Sequence, residues 1–279
     1  MADNYHQPTG IDFRDPQINL YTSNMKKSYE FYYNTIGLEE TFRTPKEGNP
    51  DNVEFKLCST RLGIATVEAL EQHHGICGGA GSPREELILS VDDADGAYSW
   101  AVSRGFSSLS PPKDFPGYEH SASITDPDGN PVRFTTQLPL SVKKNSGAPP
   151  IIKNHLINLF VNDIEKSLRF YHSIFGFKQI SRTSGNGSMG QIQMELGNLN
   201  LGISAMEYLN QHYGIYASKG PPRGEVAVWV DDVDSAYSWL ITRHVPFFSP
   251  PHNFAGVLRA AFASDPDGNP LQIVSRQKP

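Results

Sequence analysis

The sequence predicts an α+β protein built from two tandem copies of one unit, each half reading β-α-β-β-β twice. Three observations carry this: a constant internal offset, a recurring order of strand, capped helix and hairpin, and an ordinary globular composition. Ile18-Asn19-Leu20 returns in the second half as Ile157-Asn158-Leu159. The same offset relates Leu62-Gly63-Ile64 to Leu201-Gly202-Ile203 and Val91-Asp92-Asp93 to Val230-Asp231-Asp232. It also relates Asp126-Pro127-Asp128-Gly129-Asn130-Pro131 to Asp265-Pro266-Asp267-Gly268-Asn269-Pro270, so the halves share one fold. The expected division is a first domain over 1–137, a Pro-, Ser-, Gly- and Lys-rich linker over 138–154, and a second domain over 155–279.

Each half opens on a strand, where Ile157, Leu159 and Val161 alternate with Leu156, Asn158 and Phe160. A helix follows, capped by Asn162 or Asp163, with Ile164, Leu168, Tyr171 and Ile174 at helical spacing and Gly176 as its stop. Gln191 to Leu196 and Asn200 to Ser204 read as short strands, and Glu225 to Val230 restarts the cycle. Asp231-Asp232 caps the next helix, whose apolar stripe is Val233, Ala236, Tyr237, Leu240 and Ile241. Ala260 to Ser264 and Leu271 to Ser275 then flank the Asp-Pro-Asp-Gly-Asn turn, which proline and glycine preset.

At 279 residues, with 38% hydrophobic and 11% aromatic content, the chain can bury a sizeable core. A formal net charge of −6 without a basic run argues against a nucleic-acid or anionic-membrane partner and leaves a small molecule as the expected one. Two cysteines, Cys58 and Cys77, make no disulfide framework, no apolar stretch is long enough for a membrane span, and residues 1–14 lack a signal-peptide core. The expected setting is the cytoplasm. No nucleophile elbow, phosphate-cradling loop or Cys-x-x-Cys pair supports a hydrolase, kinase or thiol-redox reading.

These residues resemble the glyoxalase, bleomycin-resistance and extradiol-dioxygenase (vicinal oxygen chelate) superfamily. The resemblance rests on Asn162 to Tyr171 leading to Phe175-Gly176-Phe177, on Val230-Asp231-Asp232-Val233, and on Asp265 to Pro270. The first half repeats these as Lys27-Ser28-Tyr29-Glu30-Phe31-Tyr32, Val91-Asp92-Asp93 and Asp126 to Pro131. The resemblance implies paired β-α-β-β-β modules curled into half-open barrels, each around a cleft that commonly holds a divalent metal. Carried onto this chain, it puts Gln17, Gly63, Glu86 and Arg133 at the ligand positions of the first half. Leu156, Gly202, Glu225 and Gln272 stand at those of the second.

A divalent ion in such a site wants about three imidazole or carboxylate ligands and one open position. Arg133 cannot lose its proton and should pair with Glu86, so no metal cofactor is expected; a weak alternative would use His155, Glu225 and Gln272. His155 would need a bulge to turn inward. Glu86 and Glu225 are the candidate general bases, with solvated strand-end carboxylates as the bland alternative. Gln17, Asn19, Arg133, Asn158 and Gln272 would bind substrate, and Phe115 and Phe254 would line a cleft suited to an aromatic molecule. Gln72-His73 and Gln211-His212 are expected in loops, as surface residues or at a cleft mouth. Tyr29, Phe31, Tyr32, Tyr33, Phe170, Tyr171, Trp100 and Trp239 read as packing.

The first functional expectation is metal-independent binding, or lyase- or isomerase-type chemistry, on a small organic molecule. The alternative is a metal-dependent glyoxalase-like lyase or ring-cleaving dioxygenase. A third reading makes one half a degenerate scaffold. The expected assembly is a monomer with an internal pseudo-dimer, or a homodimer.

Overall fold

A computed structural model describes residues 10–79, 83–115, 119–137, 147–185, 188–207 and 220–277. The first module runs β1 (Arg14–Thr22), α1 (Met25–Tyr29) continuing as a π-helical turn over Glu30–Thr35, β2 (Glu39–Thr44), β3 (Asn52–Leu57) and β4 (Thr60–Thr66). Helix α2 (Val67–His74) follows it. The second comprises β5 (Glu85–Val91), α3 (Ala94–Ser103), β6 (Ser108–Phe115), β7 (Glu119–Thr125) and β8 (Pro131–Gln137). The third has β9 (Ile152–Val161), α4 (Ile164–Arg169) continuing over Phe170–Ile174, β10 (Lys178–Gly185), β11 (Ser188–Leu196) and β12 (Leu199–Ala205). The fourth has β13 (Gly224–Trp229), α5 (Val233–Ile241), β14 (Phe247–Phe254), β15 (Leu258–Ser264) and β16 (Pro270–Arg276).

The caps fall where short acceptors precede apolar runs. Asp163 accepts from the Lys166 amide, Asp232 from Ser235 and Asp93 from Gly96. Each Asp-Pro-Asp-Gly-Asn turn is tied down by its first aspartate. Asp126 accepts the amides of Asp128 and Asn130 and, at 2.8 Å, the Tyr32 hydroxyl. Asp265 does the same with Tyr171 at 2.9 Å. The turn thus fastens to the aromatic helix of the same half, which is why Tyr32 and Tyr171 are buried despite carrying a hydroxyl.

The strands form two open eight-stranded sheets, and each combines modules from opposite halves. Sheet I has the order β14-β15-β16-β13-β1-β4-β3-β2, the first and fourth modules; sheet II has β10-β11-β12-β9-β5-β8-β7-β6, the second and third. Antiparallel pairing of β1 with β13 and of β5 with β9 makes the joints. This corrects the expectation that Gln17 and Asn19 share a cleft with Glu86 and Arg133. A sequence repeat identifies like modules and carries no information on which of their edges pair.

One core spans both sheets, gathering Ile18, Leu87, Ile157 and Val226 from the strands with Phe31, Ala97, Tyr171 and Leu240 from the helices. Residues alternating with these strand positions face away from α1, α3, α4 and α5, and that inner face carries the site positions. Two further differences concern boundaries. Strand β9 begins at Ile152, inside the segment expected as linker. Gln72 and His73 lie on α2 rather than in a loop, because Thr66 accepts from the Ala69 amide and Gly75, at φ 67°, ends the helix. Gln211 and His212 lie outside the described residues. No helix among the described residues is long and apolar enough to cross a membrane.

Candidate functional site

On the inner face of sheet I, β1 presents Gln17, Asn19 and Tyr21 beside Glu225 of β13, in the register Asn19 opposite Glu225. Gln17 Nε2 donates to Asn19 Oδ1 at 2.9 Å, Asn19 Nδ2 to Glu225 Oε1 at 2.8 Å, and the Tyr21 hydroxyl to Glu225 Oε2 at 2.6 Å. Burial raises the Glu225 pKa to about 7 even though Tyr21 and Asn19 pull against it. Beside this network the face carries a packed apolar cluster. Tyr21, Ala260, Phe262 and Val274 form a small cluster with Leu70 of α2 and with Ile76, flanked by Trp229, Phe254 and Leu258. His74, at the end of α2, packs on Phe254 and Phe262 and shares a 2.9 Å contact from Nδ1 to Nε2 of His252. Burial, then His252 and His73, push the His74 pKa down to about 3.

Sheet II repeats the frame with different chemistry. Asn158 Nδ2 donates to Glu86 Oε1 at 2.8 Å, and Ser204 Oγ donates to Asn158 Oδ1 at 2.9 Å. Arg133 bridges two carboxylates: Nη2 reaches Glu86 Oε1 at 3.1 Å and Nη1 reaches Glu119 Oε1 at 2.8 Å. The Arg133 and Glu86 side chains are 4% and 0% exposed, so this pair is not a solvated surface contact. Phe160 stands at the repeat position equivalent to Tyr21 and brings no hydroxyl, and Glu86 Oε2 is buried with no hydrogen-bond donor among the described residues. Beside this network lies a pocket of about 410 Å³. Ile88, Leu156 and Ile180 give it apolar walls, and Glu119, Arg133, Thr135, Thr183, Gln191 and Gln193 are among its polar lining.

The metal-ligand positions form one set on each sheet. Sheet II gathers Leu156, Gly202, Glu86 and Arg133, which offer one carboxylate already shared with a guanidinium. Sheet I gathers Gln17, Gly63, Glu225 and Gln272, which offer two amides and one carboxyl whose pKa burial raises to about 7. The glycines are there for space. A Cβ on Gly63 would sit 2.0 Å from Asn19 Oδ1 and one on Gly202 2.7 Å from Asn158 Oδ1, so the asparagines occupy the room a ligand side chain would need. Neither set fits a divalent ion, and among the described residues no group of three or more His, Cys, Asp or Glu side chains converges as one would require.

The set His155, Glu225 and Gln272 is corrected outright, because His155 belongs to sheet II and the other two to sheet I. The β5–β9 register runs unbroken from Glu85 opposite Leu159 to Ser90 opposite Asn154, so no bulge turns His155 to the side of Leu156. Its imidazole is buried without hydrogen-bond partners among the described residues, and burial lowers its pKa to about 4. Glu86 and Glu225 are both buried, not solvated strand ends. Gln272 sits opposite Ala227 and Phe262 on the inner face of sheet I. Phe254 belongs to the filled cluster there, while Phe115 ends β6 under the Lys113 ammonium and does not line the sheet II pocket. The sequence reading missed Glu119, whose position on a strand carrying Ser121 and Ser123 was the available signal. It also missed α2, announced by Thr66, the Glu68 of its first turn, and Gly75.

Comparison with known proteins places this geometry. The family model described as "Glyoxalase/Bleomycin resistance protein/Dioxygenase superfamily" matches residues 16–134 and 153–273. No curated protein sequence matches the chain. Among solved structures, glyoxalase I from Zea mays superposes with a TM-score of 0.66 at 17% identity, over 95% of this chain and 93% of that one. A putative dioxygenase from Bacillus subtilis superposes with a TM-score of 0.56 at 12% identity, over 94% and 84%. At these identities the likeness is one of fold.

Proposed function

Since the chain belongs to the glyoxalase/bleomycin resistance protein/dioxygenase superfamily, we propose that it holds a small organic molecule in the sheet II cleft without a resident metal ion. The carrying observation is Arg133 bridging Glu86 and Glu119 at the place where the family pattern calls for ligands. A guanidinium there repels a cation and organises the floor of the pocket instead. Asn158 and Ser204 fix Glu86, Glu86 and Glu119 fix Arg133, and the pocket beside them falls within the 300–1,000 Å³ range typical of ligand sites.

Binding is favoured over lyase- or isomerase-type chemistry. Of the two carboxyls raised to a pKa of about 7, Glu225 lies in the other sheet beneath the cluster formed with α2, and Glu85 alternates with Glu86 and shares the core face of β5 with Leu87 and Leu89. The two free cysteines, Cys58 and Cys77, fit a cytoplasmic setting. The test is elemental analysis of the purified full chain together with a thermal-shift screen of phenols, α-keto acids, sugars and divalent metals. The proposal expects no stoichiometric transition metal and a rise in Tm with an organic class after chelator treatment. A stoichiometric metal whose removal abolishes ligand binding would return the chain to the metal-dependent lyase or dioxygenase reading.

A further inference from the structure

We infer that the sheet II cleft selects an uncharged, hydroxyl-rich ligand, and that Glu119 is the residue that sets this preference. The inference rests on the reading that this cleft binds a small molecule, and it adds the chemical class.

Arg133 is the only lysine or arginine among the described residues that line the pocket, and it is already committed. Its two terminal nitrogens meet Glu119 at 2.8 Å and Glu86 at 3.1 Å. Among the described residues, this network sets one guanidinium against two carboxylates. An incoming carboxylate or phosphate would therefore have to displace Glu119 from Arg133, or sit beside two carboxylates with one cation among them; either is unfavourable in a half-enclosed site of reduced dielectric. A neutral hydroxyl meets no such barrier. The remaining polar lining includes groups that both donate and accept: the hydroxyls of Thr135 and Thr183 and the amides of Gln191, Gln193 and Asn200. Paired donor–acceptor groups match the hydroxyls of a polyol, each of which also does both. Ile88, Leu156 and Ile180 supply the apolar surface for the ligand's carbon skeleton.

Glu119 is the adjustable member of the network. Glu86 is fully buried, but the Glu119 side chain is 23% exposed and reaches Arg133 from the edge of the cleft. Its counterpart in the repeat is Leu258, which packs against the apolar cluster of sheet I. Neutralising Glu119 leaves Glu86 to balance Arg133 and frees the guanidinium edge that Glu119 now occupies.

The experiment is calorimetric titration of the full chain and of Glu119→Gln with three probes of one ring shape: glucose, glucosamine and glucuronate. The wild-type chain is expected to bind glucose at least tenfold more tightly than glucuronate, with glucosamine no weaker than glucose. In Glu119→Gln the ratio of glucose to glucuronate affinity should fall by about tenfold. Glucuronate binding best to the wild type, or a ranking unmoved by Glu119→Gln, overturns the inference, as does failure of all three sugars to bind. Phenol, titrated alongside and against Gln193→Trp, whose indole would fill the cleft, separates that failure from loss of the cleft itself. Phenol binding that disappears in Gln193→Trp would keep the cleft reading and reject the hydroxyl-rich class, whereas no binding by any probe would reject both.

Discussion

The inner faces of sheets I and II share one backbone plan and have opposite contents. Equivalent positions of the repeat pair Ser90 with Trp229, Glu119 with Leu258, Ser121 with Ala260, Ser123 with Phe262, Arg133 with Gln272 and Thr135 with Val274. Sheet II received the hydroxyls and charges and keeps a pocket of about 410 Å³; sheet I received the apolar partners and packs against Leu70 and Ile76. Each sheet keeps one buried glutamate in the same register, opposite Asn19 or Asn158, but their charges are handled differently. Glu86 is paired with a cation, whereas burial raises the Glu225 pKa to about 7. The fold depends on the helix-covered faces, which the repeats preserve, so the inner faces could diverge without loss of architecture.

Removing the charge balance of sheet II should have the largest effect. Arg133→Met strands the Glu86 carboxylate in the interior and should cost about 3–5 kcal/mol in urea unfolding, while Gln272→Met at the matching place should cost about 1 kcal/mol or less. Equal losses would erase the distinction between the faces. Next comes the pH dependence contributed by Glu225. Its folded pKa of about 7 lies above its ordinary value of 4.5, so the folded state holds the proton more tightly. The stability this contributes is complete below about pH 4.5 and is lost as the pH rises through 7, a change of about 3 kcal/mol at about 1.4 kcal/mol per unit. Glu225→Gln should flatten the pH–stability curve in that window by this amount; Glu85, also raised to about 7 by burial, remains to give a residual slope. An unchanged curve would place the Glu225 charge in solvent.

Leu70→Ala should cost about 2–3 kcal/mol by opening a cavity in sheet I while leaving ligand binding in sheet II intact. Lost binding would relocate the functional cleft. The smallest effect concerns the clasps that join α3 and α5 to their hairpins. His120 contacts Asp114 at 2.6 Å and Asp95 at 3.1 Å, and Arg259 holds Asp234 and Asn253 at the equivalent places. Burial pulls the His120 pKa down, but the bonds to Asp114 and Asp95 outweigh it and raise it on balance. That clasp therefore contributes fully below the unfolded histidine pKa and weakens as the pH rises through the folded one. The Arg259 clasp stays charged throughout. His120→Arg should remove this small loss of stability at mildly alkaline pH, read by urea unfolding on either side of neutrality.

The features legible in the sequence were those fixed by local spacing. The caps at Asn162 or Asp163 and at Asp231-Asp232, the Asp-Pro-Asp-Gly-Asn hairpins and the alternation that turns Glu86 and Glu225 inward all follow from residues within a few positions of one another. The Arg133–Glu86 pair was also readable, since both lie on the inner face of strands within one module pattern. The partnership of Glu86 with Asn158 and of Glu225 with Asn19 was not, because it depends on which module edges meet across a separation of 72 or 206 residues. Glu119 escaped because its role exists only once Arg133 is placed beside it.

The most direct test uses matched blocking substitutions on the chelator-treated full chain, Gln193→Trp in sheet II and its counterpart Glu54→Trp in sheet I, read by thermal shift with phenols, α-keto acids and sugars. The account predicts that Gln193→Trp abolishes the ligand-induced rise in Tm and that Glu54→Trp leaves it as in the wild type. A rise lost only in Glu54→Trp, or one that returns only when a divalent ion is added back, would contradict it.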